Sequence, residues 1–251
     1  SNFDRGYLNT LIIFFFESIY DFLGGRQYMR KYILNIIFSL GVLITASASA
    51  FAAQPEIIGK ITNINGLVYK VENNDAKTPQ MLHGAVFAND TFESAIGGGL
   101  EITFIDDMQV TIGEKSKLVI DKYVFDPENP DENKLELSFP MTAFHYISGL
   151  LAKNDPKDVQ LNLDFGSIGI RGTEIWRDMT PNGDNGALMC RVYVADGAIT
   201  VTNEGGNVTL DKGNGTTITS RQTAPSQPIA FTDEIISEIK SKSTLTGQSI
   251  P

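Results

Sequence analysis

Only one cysteine, Cys190, occurs in the 251 residues, which excludes an intramolecular disulfide framework and any Cys-rich zinc or iron–sulfur centre. Histidine is nearly absent as well. His83 and His145 stand alone, in no H-x-x-x-H or H-E-x-x-H spacing, so no zinc-hydrolase motif is present. No serine occupies a G-x-S-x-G elbow. Basic side chains are in the minority: 20 Lys and Arg stand against 30 Asp and Glu, for a formal net charge of -10. A surface of that sign repels phosphate backbones and anionic lipid, which argues against nucleic acid as a partner. Nothing in the composition calls for a cofactor. What is there is apolar material: hydrophobic residues make up 42% and charged residues 20%, enough for a folded core and against bulk disorder.

Met29-Arg30-Lys31, the apolar run from Tyr32 to Ile44 and Ala50-Phe51-Ala52 before Ala53 follow the order of a signal peptide: basic head, apolar stretch, A-x-A site. The expectation is a signal peptide over 29–52, with an uncleaved anchor as the alternative. Cleavage leaves no stable membrane span and implies a periplasmic or secreted protein. Residues 1–28, with the run Leu11 to Phe16 broken by Glu17 and Asp21, are read as upstream sequence outside the mature protein, or as a second membrane-associated segment.

From Ile57 onward apolar residues recur every second position, in short runs closed by Gly, Asn and Asp. Leu100-Glu101-Ile102-Thr103-Phe104 and Leu135-Glu136-Leu137-Ser138-Phe139 show the pattern. Strands are expected at 58–64, 66–71, 99–104, 109–112, 117–124, 134–139, 159–163, 167–170, 174–177, 188–194, 198–202, 207–210 and 216–219. Asn65-Gly66, Asp106-Asp107, Asp196-Gly197, Glu204-Gly205-Gly206 and Asn214-Gly215 read as hairpin turns, so most neighbours should pair antiparallel. The fold class is all-β: a two-layer antiparallel sheet sandwich or roll of many short strands, with a short C-terminal helix. Residues 53–222 would form the β domain, and 223–251 a linker, helix and polar tail. The helix is expected at 232–240, where Ile235, Ile236 and Ile239 share a face, acidic residues come early, Lys240 comes late and Thr232 can cap. Residues 141–153 fit a helical stripe or a strand and turn; their context favours the strand.

Asp158 to Glu174, containing Ile168-Gly169-Ile170-Arg171-Gly172-Thr173, resembles the signature of the FecR protein domain. Three further stretches resemble that family in its own order: Asp90 to Ser94 with Gly99 to Asp107, Ser148 to Pro156, and Val194 to Val201. Asp164-Phe165 and Asp106-Asp107 depart from the family's usual Thr-Pro and Asp-Gly. The resemblance implies an extracytoplasmic β domain. Well-known relatives relay an iron–siderophore signal to a cytoplasmic sigma factor through a cytoplasmic domain. Only 28 residues precede the expected signal peptide here, so the anti-sigma role is not expected to carry over whole.

Within the signature, Ile168 and Ile170 can face the core, while Gly169 and Gly172 permit a bulge. Arg171 either reaches back to carbonyls or a carboxylate and locks the strands, or faces a partner, or binds an anion, the last disfavoured because no helix start follows to supply a phosphate nest. Ile168, Gly169, Ile170, Arg171, Gly172 and Thr173 are the candidate interaction residues. Cys190 reads as a buried thiol or a nucleophile, and Trp176 as core filler or a sugar platform. The acidic run from Asp126 to Asn133 reads as a solvated loop or a weak calcium site, and the polar loop 181–186 in the same way. The functional expectation is an exported, non-enzymatic FecR-like module for protein interaction, sensing or signal transduction in the cell envelope. Its partner would be an envelope or extracellular protein. The alternatives are a glycan-binding module using Tyr69, Tyr146, Trp176 or Tyr193, and a secreted hydrolase using His145 or Cys190.

Overall fold

The computed structural model describes residues 55–72, 74–154, 158–182 and 186–245, and Pro55–Pro251 forms a compact unit. The expected signal peptide at 29–52 and residues 1–28 lie outside the described residues, as does the end of the polar tail.

Fifteen strands follow one another: β1 (Ile57–Asn65), β2 (Val68–Val71), β3 (Lys77–Pro79), β4 (Ala85–Phe87), β5 (Thr91–Ser94), β6 (Gly99–Phe104), β7 (Gln109–Ile112), β8 (Lys117–Val124), β9 (Lys134–Phe139), β10 (Phe144–Ile147), β11 (Val159–Leu163), β12 (Gly166–Pro181), β13 (Leu188–Asn203), β14 (Gly206–Asp211) and β15 (Gly215–Ile218). Two helices join them, α1 (Leu150–Asn154) and α2 (Asp233–Ser241). The stretch 141–153 thus holds both readings in turn, a strand and then a short helix.

All strands belong to one curled sheet, ordered β3-β2-β5-β8-β9-β11-β12-β10-β7-β6-β1-β4, with β13 beside β12 and both β14 and β15 beside β13. Pairing is antiparallel except between β9 and β11, which run parallel. The chain covers that step through β10 and α1, the long crossover that a parallel pair needs. The expected two layers are therefore halves of one sheet. The first part of β12 pairs with β11 and its second part with β10. β13 likewise pairs first with β15 and then with β14. We call the two parts the β14 half and the β15 half.

That continuity corrects two expected breaks. Residues 171–173 and 196–197 carry glycines with φ of +54° at Gly172 and +78° at Gly197, which read locally as turns. The structure makes them facing bulges instead, with the β12–β13 register shifting between Arg171 and Ile175. A Cβ on Gly197 would run into the carbonyl of Gly172, so the bulges nest only because glycine is there. The other unforeseen elements, β3, β4 and β5, are three or four residues long, too short to show a period.

One apolar cluster fills the curl, running from Ile58 in β1 to Ile218 in β15. Phe104 of β6 stacks on Tyr123 of β8 with ring centroids 5.3 Å apart, tying the two halves together across the core. The C-terminal helix forms as expected, with the Thr232 hydroxyl accepting the Ile235 amide and Asp233 and Glu234 in its first turn. Among the described residues no helix is long and apolar enough to cross a membrane.

Candidate functional site

The family-like segments, far apart in sequence, meet at one end of the β15 half. Asp106, in the turn after β6, is 1% exposed. Its Oδ1 accepts the Tyr123 hydroxyl at 3.0 Å and the Met108 amide at 3.3 Å. Its Oδ2 accepts the Leu151 amide at 3.2 Å, and its carbonyl accepts the Leu150 amide at 2.8 Å. The carboxylate thereby ties α1 to the β6–β7 turn. Burial, and then the neighbouring Asp106, push the Tyr123 phenol far above its ordinary range. One step along, the Ser148 amide donates to the Thr173 carbonyl at 2.9 Å, and its hydroxyl accepts the Thr173 amide at 2.8 Å. Gly172 then abuts Gly197 of β13.

Within the signature, Ile168 and Ile170 are buried, as are the Thr173 side chain and backbone, while Gly169 and Arg171 are exposed. The Arg171 backbone pairs with Ala198 of β13, but its guanidinium makes no hydrogen bond or ion pair with any described residue, so the strand lock anticipated for it is absent. Arg177 makes that lock. It is fully buried; its Nη1 donates to the Phe139 carbonyl at 3.3 Å and to the Thr142 carbonyl, and its Nη2 to Asp164 Oδ2 at 3.3 Å. Sequence reasoning missed it because a charged residue in a strand reads as solvent-facing. The only available cue was the loss of alternation in Ile175-Trp176-Arg177-Asp178. Three large apolar side chains at the same end stay in solvent: Ile57, 55% exposed, Ile105, 46%, and Leu150, 44%. The Ile105 amide donates to the Ile58 carbonyl at 2.9 Å, which sets this group beside the Asp106 turn.

The residues considered for chemistry are dispersed. Cys190 is fully buried, and burial pushes its thiol up; Arg177 Nε donates to its Sγ at 3.2 Å. His145 stacks on Trp176 with centroids 3.5 Å apart, and its Nε2–H donates to Glu174 Oε1 at 3.0 Å. The Trp176 indole donates to the same oxygen at 3.2 Å, and Lys240 of α2 lies over the Trp176 ring. Burial lowers the His145 pKa, against the pull of Glu174. Tyr146 is fully buried, so the four aromatic residues considered for a sugar site share no groove. In the acidic run, Asp126 turns both carboxylate oxygens inward, to the Glu128 amide at 2.8 Å and the Asn129 side chain at 2.8 Å. Among the described residues no group of three or more His, Cys, Asp or Glu could hold a metal ion. An open groove of about 520 Å³ lies at the far end of the β14 half, lined by Ser138, Asn162, Phe165, Thr202, Glu204 and Arg221 among others.

No family model matches the chain, and no curated protein matches it; the FecR resemblance is carried by the quoted segments alone. Among solved structures, two of a "putative anti-sigma factor" from Parabacteroides distasonis ATCC 8503 are similar, each at 9% identity and a TM-score of 0.45 over 59% of this chain and 62% of that one. The chain thus spans about three fifths of the length of those structures. A "Cell surface anchoring domain" matches at 29% identity and a TM-score of 0.24, over 25% of this chain and 82% of its own.

Proposed function

We propose that the protein is an exported, non-catalytic FecR-like module of the cell envelope that binds a protein partner, in interaction or sensing, through the Asp106–Ser148–Thr173 end of its sheet. The observation that carries this reading is the meeting of the family-like segments there, with the Arg171 guanidinium unpaired among the described residues and Ile57, Ile105 and Leu150 exposed at the same end. A guanidinium and exposed apolar side chains at one end of a sheet match the composition of a binding hot spot. The Asp106 carboxylate and the Ser148 hydroxyl are spent on internal bonds.

The test is capture from envelope extract by residues 53–251, in parallel with Arg171→Ala and Leu150→Ser, each first shown by circular dichroism to be folded. The expected result is one envelope protein held by the parent and lost by both variants. Equal capture by all three moves the site elsewhere.

A second reading, a saccharide ligand, is favoured by the groove of the β14 half. The Arg221 side chain there has no partner among the described residues, and Asn162, Glu204 and Phe165 line the same groove, supplying donors, an acceptor and an aromatic ring. A glycan array that responds to the parent and not to Arg221→Ala would support it.

A further inference from the structure

A curled open sheet has edges, and an unpaired edge invites another strand. Three of the four here are blunted. β3 has three residues, among them Pro79 and Lys77, which is paired with Glu93 at 2.6 Å. β4 also has three residues. The outer side of β15 is covered by the segment that follows it: Ser226 exchanges bonds with Thr217 at 3.0 Å, and Ile229 with Gly215 at 2.8 and 2.9 Å.

β14 is different. Its six residues contain no Pro or Lys, and among the described residues no strand pairs with its outer side. Its hairpin with β13 closes at Asn203 and Gly206 around the two-residue turn Glu204-Gly205. In such a hairpin the closing pair exchanges both backbone bonds and alternate pairs do not. Gly206, Val208 and Leu210 therefore bond to β13, while Asn207, Thr209 and Asp211 aim their N–H and C=O groups outward. Of these, only the Asp211 carbonyl is engaged, by the Asn214 amide at 3.1 Å.

We infer that β14 pairs with β14 of a second copy of this chain, antiparallel about a two-fold axis through Thr209. The occupant follows from self-complementarity. In that register Thr209 meets Thr209 of the second copy in a pair that exchanges both bonds, and Asn207 meets Asp211. On the outer face the Asn207 amide is set to donate to the Asp211 carboxylate, twice by symmetry. On the inner face Val208 and Leu210, both buried, come opposite each other. A slip by one residue would set the free groups opposite residues already bonded to β13 and place apolar side chains against polar ones. The β14 halves of the two copies then form one continuous sheet. Six residues a side bury less than the roughly 1,200–2,000 Å² of a stable interface, so the dimer is weak and concentration-dependent. Asp211 lies in one cross-strand row with Ala198 and Arg171, but neither Arg171 nor Leu150 takes part in the pairing, and substitution at Thr209 tests the dimer apart from the Arg171 site.

The test is sedimentation velocity over a concentration series of residues 53–251, with amide hydrogen exchange on the same samples. The average mass should rise towards two copies as concentration increases. The Thr209 amide should slow in step, with Val208 and Leu210 unchanged because they already bond within the hairpin. Thr209→Pro removes the N–H on the axis at a position not bonded to β13 and should hold the protein at one copy. If that variant fails to fold, Thr209→Lys places two like charges across the axis and should do the same. A mass of one copy at every concentration overturns the proposal, and so does a dimer that keeps Thr209 exchange unchanged or survives the folded variants.

Discussion

The two halves of the sheet share β12 and β13, yet they end in opposite environments. In the β14 half the strands alternate strictly: Ile168 and Ile170 are buried while Gly169 and Arg171 are exposed, and on the neighbouring strand Val201 is buried while Thr202 is exposed. Its outer face carries Gln160, Thr200, Thr209 and similar groups, which bond along that face, Thr200 with Thr209 and Gln160 with Asn162. In the β15 half the alternation fails. Ile175, Trp176, Arg177 and Asp178 are buried in succession, because the core covers one face and α2 the other. The polar residues of that second interior are paired. Arg191 binds Asp178 through Nε at 2.9 Å and again through Nη2, and reaches Glu238 of α2 at 3.1 Å. Asp178 and Glu238 hold the Arg191 guanidinium well above its usual range. The same two strands thus show that exposure in a sheet is decided by what docks on it.

Removing Asp178 should break this contrast most severely. Asp178→Ala leaves Arg191 buried with half its partners and should cost about 3–5 kcal/mol in urea denaturation, whereas Thr200→Ala on the bare face should cost less than about 0.5 kcal/mol. Equal losses would mean that α2 does not seal the covered face. A smaller loss is expected on loosening α2 itself: Thr232→Ala removes the amide cap and should lower stability by about 1 kcal/mol, with faster amide exchange at Trp176 and Arg191 and no change at Thr200. The smallest effect is one of pH. Because burial holds His145 below its ordinary pKa of 6.5, the unfolded chain binds more protons than the native one once the pH falls through about 6.5. Stability should therefore decline on acidification below that value, then level off once the lowered native pKa is passed. His145→Gln should flatten this part of the profile. Glu93 and Glu238, whose carboxyls are lowered by hydrogen bonds from Lys77 and from Arg191, contribute stability that disappears only below about pH 4.5, which separates the two phases.

Where neighbouring residues alone decide an outcome, the sequence was sufficient. The strands at 99–104, 109–112, 117–124, 134–139 and 159–163 can be read to the residue, because alternation over a few positions states both the extended backbone and its buried face. Thr232 and the helix after it are legible for the same reason, since a cap and one apolar stripe lie within three turns of chain. The resemblance segments were also visible in the sequence, but their meeting around Asp106, Ser148 and Thr173 was not.

Tertiary structure alone decided the remainder. Gly172 and Gly197 carry a turn signature in isolation and become bulges only because they face each other across β12 and β13. The parallel pairing of β9 with β11 depends on where β10 and α1 carry the chain, which no local period records. Arg171 and Arg177 lie six residues apart in one strand. Their fates diverge because the Phe139 and Thr142 carbonyls and Asp164 surround one guanidinium, and no described residue reaches the other. Backbone preference is set by adjacent residues, whereas burial and partnership are set by distant segments that arrive only when the sheet closes.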